Sequence, residues 1–266
     1  MSIEVKNLRV KLDDKEIVKN INFNINENEL VMVLGLNGAG KTTIMKALVG
    51  INKVTDGEIL FDGDDITKFS ISKRAKLMSY IPQSTEPPLK YTVREFIEMG
   101  ITPHLGIFDI PNKLHNHDVD NALELLKITD IKDSYLDVIS GGEKQLAYLA
   151  RAIVQKAKFM VLDEPTAYLD FKRQHLFIRE LKNFINETKK GAILTVHDPN
   201  IALRYADKII VIHDKEVLNI IHKKEDYQNK FLNTLNKIYD NKLRLISSGK
   251  SYMVTWEDEE EMVCLQ

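Results

Sequence analysis

Leu30-Val31-Met32-Val33-Leu34-Gly35-Leu36-Asn37-Gly38-Ala39-Gly40-Lys41-Thr42-Thr43 is the stretch that decides the fold of this 266-residue chain. Its first five residues are apolar without alternation, the pattern of a parallel strand covered on both faces. Gly35 to Thr42 then match the phosphate-loop pattern G-x-x-x-x-G-K-[ST]. Glycines in such a loop let backbone N–H groups turn inward around phosphate oxygens at a helix N-terminus. Lys41 then reaches the outer phosphates, and the Thr42 hydroxyl serves Mg²⁺. Thr42 to Val49 reads as the helix that follows, with Gly50 as its stop.

Working outward, the first 30 residues alternate: Ile3/Val5, Leu8/Val10/Leu12 and Ile21/Phe23/Ile25 predict short, half-buried antiparallel strands. Glu58 to Phe61, between Gly57 and Gly63, reads as another. From about Pro87 to Ile139 the texture becomes helical, over Thr92 to Met99 and Val119 to Ile128. Between these lies a loop rich in Pro, Gly, His and Asn. Glu143 to Ala157 is an amphipathic helix. Three buried-strand runs follow, Phe159 to Leu162, Ala192 to Val196 and Lys208 to Ile212, with helical segments between them. Such alternation predicts an α/β fold, a mainly parallel sheet with helices on both faces. The end of the chain reads as a helix near Phe231 to Tyr239, two short strands and an acidic run from Glu257 to Glu261.

Hydrophobic residues make up 44% and the formal net charge is −2, which gives no general attraction to nucleic acid. No nucleic-acid partner is expected. Cys264 is the only cysteine, so no intrachain disulfide forms and a reducing compartment is expected. Met1 to Lys6 lack the apolar core of a signal peptide. The longest apolar runs fall far short of the roughly 20 residues that span a bilayer.

Two further motifs carry chemistry. Phe159-Met160-Val161-Leu162-Asp163-Glu164 is an apolar strand ending in two carboxylates. A buried strand cannot carry such charges without a partner, and beside a phosphate loop Mg²⁺ is that partner for Asp163. Glu164 is left to polarise an attacking water. The second motif, Ile139-Ser140-Gly141-Gly142-Glu143, is a glycine turn opening the amphipathic helix, with Ser140 as N-cap. It is a second anion-binding helix start.

The order of these pieces resembles the nucleotide-binding subunit of an ABC transporter. The sequence runs from the phosphate loop through Tyr80-Ile81-Pro82-Gln83 and Ile139 to Glu143. It continues with Met160-Val161-Leu162-Asp163-Glu164-Pro165-Thr166-Ala167-Tyr168-Leu169-Asp170 and then Thr195-Val196-His197-Asp198. The resemblance implies a P-loop NTPase core over residues 1–230, with a helical subdomain inserted at about 87–157 and a small C-terminal extension over 231–266. It implies ATP and Mg²⁺ as cofactors, with Gly35, Leu36, Asn37, Gly38, Ala39, Gly40, Lys41, Thr42 and Thr43 around the nucleotide. Ser140, Gly141 and Gly142 would meet the γ-phosphate held by a second copy, and Asp170 would lie at the dimer contact. Thr42, Gln83 and Asp163 would serve the metal; Glu164, His197, Gln83 and Lys41 would be catalytic. The partners implied are a second copy of the chain, separate transmembrane permease subunits and, indirectly, a solute-binding protein. That arrangement puts the chain at the cytoplasmic face of the cell membrane.

Thr92-Val93-Arg94-Glu95, Met99 to Leu105 and Ala167-Tyr168-Leu169-Asp170 resemble, more finely, importers of iron–siderophore complexes, haem, cobalamin or related chelates. Any other small-solute importer remains open on these residues. So does a soluble ABC ATPase outside transport, such as an iron–sulfur cluster assembly factor. There are departures from the family pattern. Leu12 stands where an aromatic residue usually stacks on adenine, Leu36 replaces a proline, and Glu143 replaces the more frequent glutamine. Loss of the stack predicts weaker base discrimination. His115 and His117 read as solvent-exposed histidines, and Tyr239, Tyr252 and Trp256 as packing for the C-terminal segment.

Overall fold

The computed structural model describes residues 1–83, 90–106, 113–223, 227–248 and 251–256, with backbone alone for 113, 114, 248 and 251. Cys264, the acidic run 257–261 and most of the 84–91 segment lie outside the described residues.

The alternating N-terminal residues form one long hairpin, β1 (Ser2–Leu12) and β2 (Lys15–Asn26), in place of several short strands. After β3 (Leu30–Gly35) and α1 (Lys41–Leu48) come β4 (Asp56–Phe61) and β5 (Asp64–Asp65). These two complete an antiparallel sheet of order β2-β1-β4-β5. The short helix α2 (Ile71–Ala75) leads into β6 (Met78–Ile81). A helical stretch follows: α3 (Val93–Glu98), a 3₁₀ turn at Met99–His104, α4 (Lys113–Leu125), a second 3₁₀ turn at Thr129–Ile131, and α5 (Gly141–Val154).

From β7 (Phe159–Leu162) onward strands and helices alternate: α6 (Phe171–Thr188), β8 (Gly191–Thr195), α7 (Pro199–Tyr205) and β9 (Lys208–His213). The chain turns back in β10 (Glu216–His222), then forms α8 (Tyr227–Asn236) and the hairpin β11 (Leu243–Ser248) and β12 (Ser251–Trp256).

The central sheet has the order β10-β9-β3-β8-β7-β6, parallel except for antiparallel β10 at one edge. Being covered on both faces, its strands divide their side chains between two apolar cores. Val31, Val33, Val161, Ile193 and Ile210 pack with α1 and the antiparallel sheet. Leu30, Met32, Leu162, Leu194 and Ile209 pack with α3 to α8. The helices α3 to α5 and the C-terminal α8 and hairpin share that second core. Thus α1 and α5, which carry the two glycine turns, sit on opposite faces of the sheet.

Sequence patterning missed β6 and β10. β6 carries Ser79 and Tyr80 between two apolar ends, and β10 is only half-buried. The C-terminal helix begins at Tyr227, ahead of the expected Phe231. Tyr239 packs against the core, but Tyr252 and Trp256 are 42% and 48% exposed, contrary to the packing role expected of them. A two-stranded ribbon reaches the core only through residues such as Leu243 and Val254. Both outer edges of that ribbon are bonded by asparagines. Asn200 on α7 donates to the Val254 carbonyl and accepts from its N–H, and Asn236 does the same for Leu243.

Candidate active site

The phosphate loop joins the C-terminal end of β3 to α1. Gly40, the residue before the helix, has φ 99°, a left-handed conformation, and a Cβ there would collide with Val18 Cγ1. Only glycine meets both demands. No side chain caps α1, so its first-turn N–H donors stay available to an anion. Lys41 is buried and curls back over the loop, its Nζ donating to the carbonyls of Gly35 at 2.8 Å and Leu36 at 3.3 Å. Burial pushes the Lys41 ammonium below its ordinary value, opposed by the charges of Glu164 and Asp163. An anionic ligand would restore the charged form.

Beyond the end of β7, Asp163 and Glu164 face different partners. Asp163 is fully buried; its Oδ1 accepts from the Thr195 hydroxyl at 2.8 Å. Its Oδ2 is buried and makes no hydrogen bond of ordinary length among the described residues, although the Thr42 hydroxyl lies near enough to act on the carboxylate. Burial raises the Asp163 carboxyl, while the Thr42 and Thr195 hydroxyls and the Lys46 charge pull it down. A buried carboxylate oxygen lacking a donor is what a hydrated hard cation satisfies. With the Thr42 hydroxyl and the Gln83 amide oxygen, Asp163 makes an all-oxygen donor set, and the residues present fit Mg²⁺.

Glu164 takes a positive φ of 47°. Its N–H donates to Thr195 Oγ1 at 2.7 Å, which fixes the turn. One carboxylate oxygen accepts from Gln83 Nε2; the other lies 2.7 Å from His197 Nε2. Gln83, Glu164 and His197 are therefore one hydrogen-bonded cluster, although 81 residues separate the first two. The carboxylate that can polarise water is held on both oxygens. Sequence reasoning missed Thr195 as an individual: its hydroxyl ties the two acidic residues together. The available signal was a hydroxyl at the end of an otherwise aliphatic buried strand.

The second glycine turn stands apart from this cluster. Ser140 caps α5 in a reciprocal box with Glu143. The Ser140 N–H and hydroxyl both donate to Glu143 Oε2, at 2.8 and 2.6 Å, and Ser140 Oγ accepts from the Glu143 N–H. These bonds from Ser140 hold the Glu143 carboxyl below its ordinary range. A Cβ on Gly142 would press on Arg173, and one on Gly141 would touch Tyr168. The turn thus borders the loop that carries Asp170, the N-cap of α6. Tyr168 and Phe171 beside it are exposed, as are Leu36 in the phosphate loop and Leu12 at the turn of the N-terminal hairpin. His117 bonds the side chain of Asn121.

The model of the family described as ABC transporter matches residues 18–167. A Helicobacter pylori protein described as "Probable iron chelatin transport ATP-binding protein" is 34% identical over 218 residues, 82% of this chain and 86% of that protein. The petrobactin import ATP-binding protein of Bacillus anthracis is 32% identical over 217 residues, 81% of this chain and 79% of its own. Among solved structures, a metal-chelate type ABC transporter in an inward-facing conformation superposes with a TM-score of 0.81 at 24% identity. That match covers 98% of this chain and 99% of the other, and at this identity it speaks for the fold. A dimeric bacterial ABC transporter cassette superposes with a TM-score of 0.74 at 25% identity, over 83% of this chain and 98% of that one.

Proposed function

The chain belongs to the ABC transporter family and is an ATPase of that family; from this premise we propose that it drives an importer of iron–siderophore, haem, cobalamin or a similar metal chelate. The relatives named for iron chelatin and petrobactin transport support that cargo class. One geometric observation supports the ATPase chemistry of this reading. At the strand end beside the Lys41 loop, the Glu164 carboxylate is held by Gln83 on one oxygen and His197 on the other.

In the mechanism this supports, Gly35 to Thr43 wrap the phosphates and Lys41 leaves its two carbonyl partners for the β- and γ-oxygens. Thr42, Gln83 and Asp163 are the residues that would hold Mg²⁺, which when bound supplies positive charge to the phosphate oxygens. Glu164, freed of Gln83, orients the attacking water, and His197 donates toward the γ-phosphate. Hydrolysis rests mainly on electrostatic stabilisation by positioned groups.

A second copy supplies Ser140, Gly141 and Gly142 to the γ-phosphate, with Asp170 at the contact. The dimeric form of a related cassette supports this arrangement. ATP then favours the closed dimer because it binds that state better. No helix among the described residues is long and apolar enough to cross a membrane. Separate permease subunits would hold the chain at the cytoplasmic membrane face, with a solute-binding protein delivering cargo to them.

The test is purification of the tagged chain from its native membranes. A many-helix membrane protein should co-purify. In reconstituted vesicles, a chelate-loaded binding protein should raise ATP hydrolysis. Recovery only as a soluble complex with iron–sulfur assembly proteins would overturn the importer reading.

A further inference from the structure

Asp163 Oδ2 is not the only orphaned oxygen near the phosphate loop. The Tyr80 hydroxyl is also buried and without a hydrogen-bond partner among the described residues. Strand register brings the two together. Tyr80 on β6 pairs with Val161 on β7, so their side chains share a face. Asp163 lies two residues beyond Val161, and its N–H donates to the Ile81 carbonyl at 2.8 Å, extending the ladder to the metal end. The face is the one covered by α1, whose Ile44 and Met45 join Tyr80 and Val161 in one apolar core.

Burial, and after it the charge of Asp163, raises the Tyr80 phenol above the ordinary tyrosine range. A phenol is in any case an O–H donor at neutral pH. Among the described residues neither buried oxygen has a hydrogen-bond partner, and strand register puts both on the sheet face toward α1. A buried polar group without a partner is destabilising, so a shared partner stabilises both.

Resting on the reading of Asp163 as a metal-holding residue, we propose that Tyr80 is a positioning residue for the metal site. Its hydroxyl holds a water of the cation's shell that Asp163 Oδ2 also binds. Mg²⁺ sheds its waters reluctantly and takes one or two carboxylates plus phosphate oxygens, so a water-mediated protein contact suits it. Groups that orient such ligands from behind typically change metal affinity by about 10–100-fold.

The experiment measures Mn²⁺ binding by paramagnetic resonance on the full chain with a non-hydrolysable ATP analogue. Tyr80→Phe deletes one unpartnered oxygen from a packed ring, so the variant should melt at or above the wild-type temperature. Its Mn²⁺ dissociation constant should rise about tenfold, while analogue affinity in excess chelator stays unchanged. Wild-type Mn²⁺ affinity in the folded Phe variant would overturn the proposal. So would an equal loss of analogue affinity without metal, since that would place Tyr80 in the packing of the loop. Asp163→Asn separates the two readings: it should abolish the Mn²⁺ signal. Undiminished binding there would remove the assignment of Asp163 itself.

Discussion

The two glycine-led helix starts differ in what already occupies them. At the first, Gly40 is left-handed, no side chain caps α1, and Lys41 is parked on two carbonyls. At the second, Ser140 and Glu143 bond each other reciprocally, which occupies the Ser140 and Glu143 N–H groups and leaves those of Gly141 and Gly142 outside the box. The first start is open, beside buried acidic residues of its own chain. The second is partly occupied by its own box and borders exposed Tyr168. Both look like anion sites as sequence, but only the first is built to hold an anion alone. The second keeps the Gly141 and Gly142 N–H groups outside its box for a γ-phosphate brought by a second copy, while the Ser140 hydroxyl would first have to leave the Glu143 carboxylate.

The largest expected effect tests the first start. Glu164→Gln should lower phosphate release about 10³-fold, within the range for a lost general base, while equilibrium ATP binding persists. Retained activity would remove Glu164 from the base role. Next comes Ser140→Arg, which should cut steady-state hydrolysis about 100-fold, as for a lost transition-state donor, and leave nucleotide binding by the monomer intact. If ATP binding fell equally, the two starts would not be the separate sites described here. Leu12→Tyr should restore base stacking, which is worth about 1–3 kcal/mol elsewhere. Competition by GTP against ATP should then weaken several-fold relative to wild type, and a strong ATP preference already present in wild type would count against this reading.

The smallest effect concerns the cap itself. Glu143→Ala should cost about 1 kcal/mol, read as a melting shift of about 2–4 °C. Because the folded Glu143 carboxyl lies below the ordinary glutamate value of 4.5, its contribution is complete above pH 4.5 and fades as pH falls through the lowered value. The melting gap between wild type and variant should close in acid. A gap constant with pH would mean that the carboxylate charge has no part in the cap.

Legibility followed locality. β3, β7, β8 and β9 were readable because each is a continuous apolar run buried on both faces. Lys41, Gln83, Asp163, Glu164 and His197 were readable from their motif order, and the fold brings Gln83, Glu164 and His197 into one cluster. The bridging of both acidic residues by Thr195, and the facing of Tyr80 and Asp163, were not. Both depend on register among β6, β7 and β8, strands distant in sequence, and no single segment encodes that alignment. The half-buried β10 was missed for a related reason: an edge strand needs one covered face and shows weak periodicity.

The asparagines beside the C-terminal ribbon have a consequence for solubility. A two-stranded ribbon has two open rims, each a template on which another chain can add a strand. Here Asn200 occupies both backbone groups of Val254 on one rim, and Asn236 occupies both of Leu243 on the other. An incoming strand would meet amide side chains where it needs free backbone partners. The two residues thus remove Val254 and Leu243 as pairing points on the two rims.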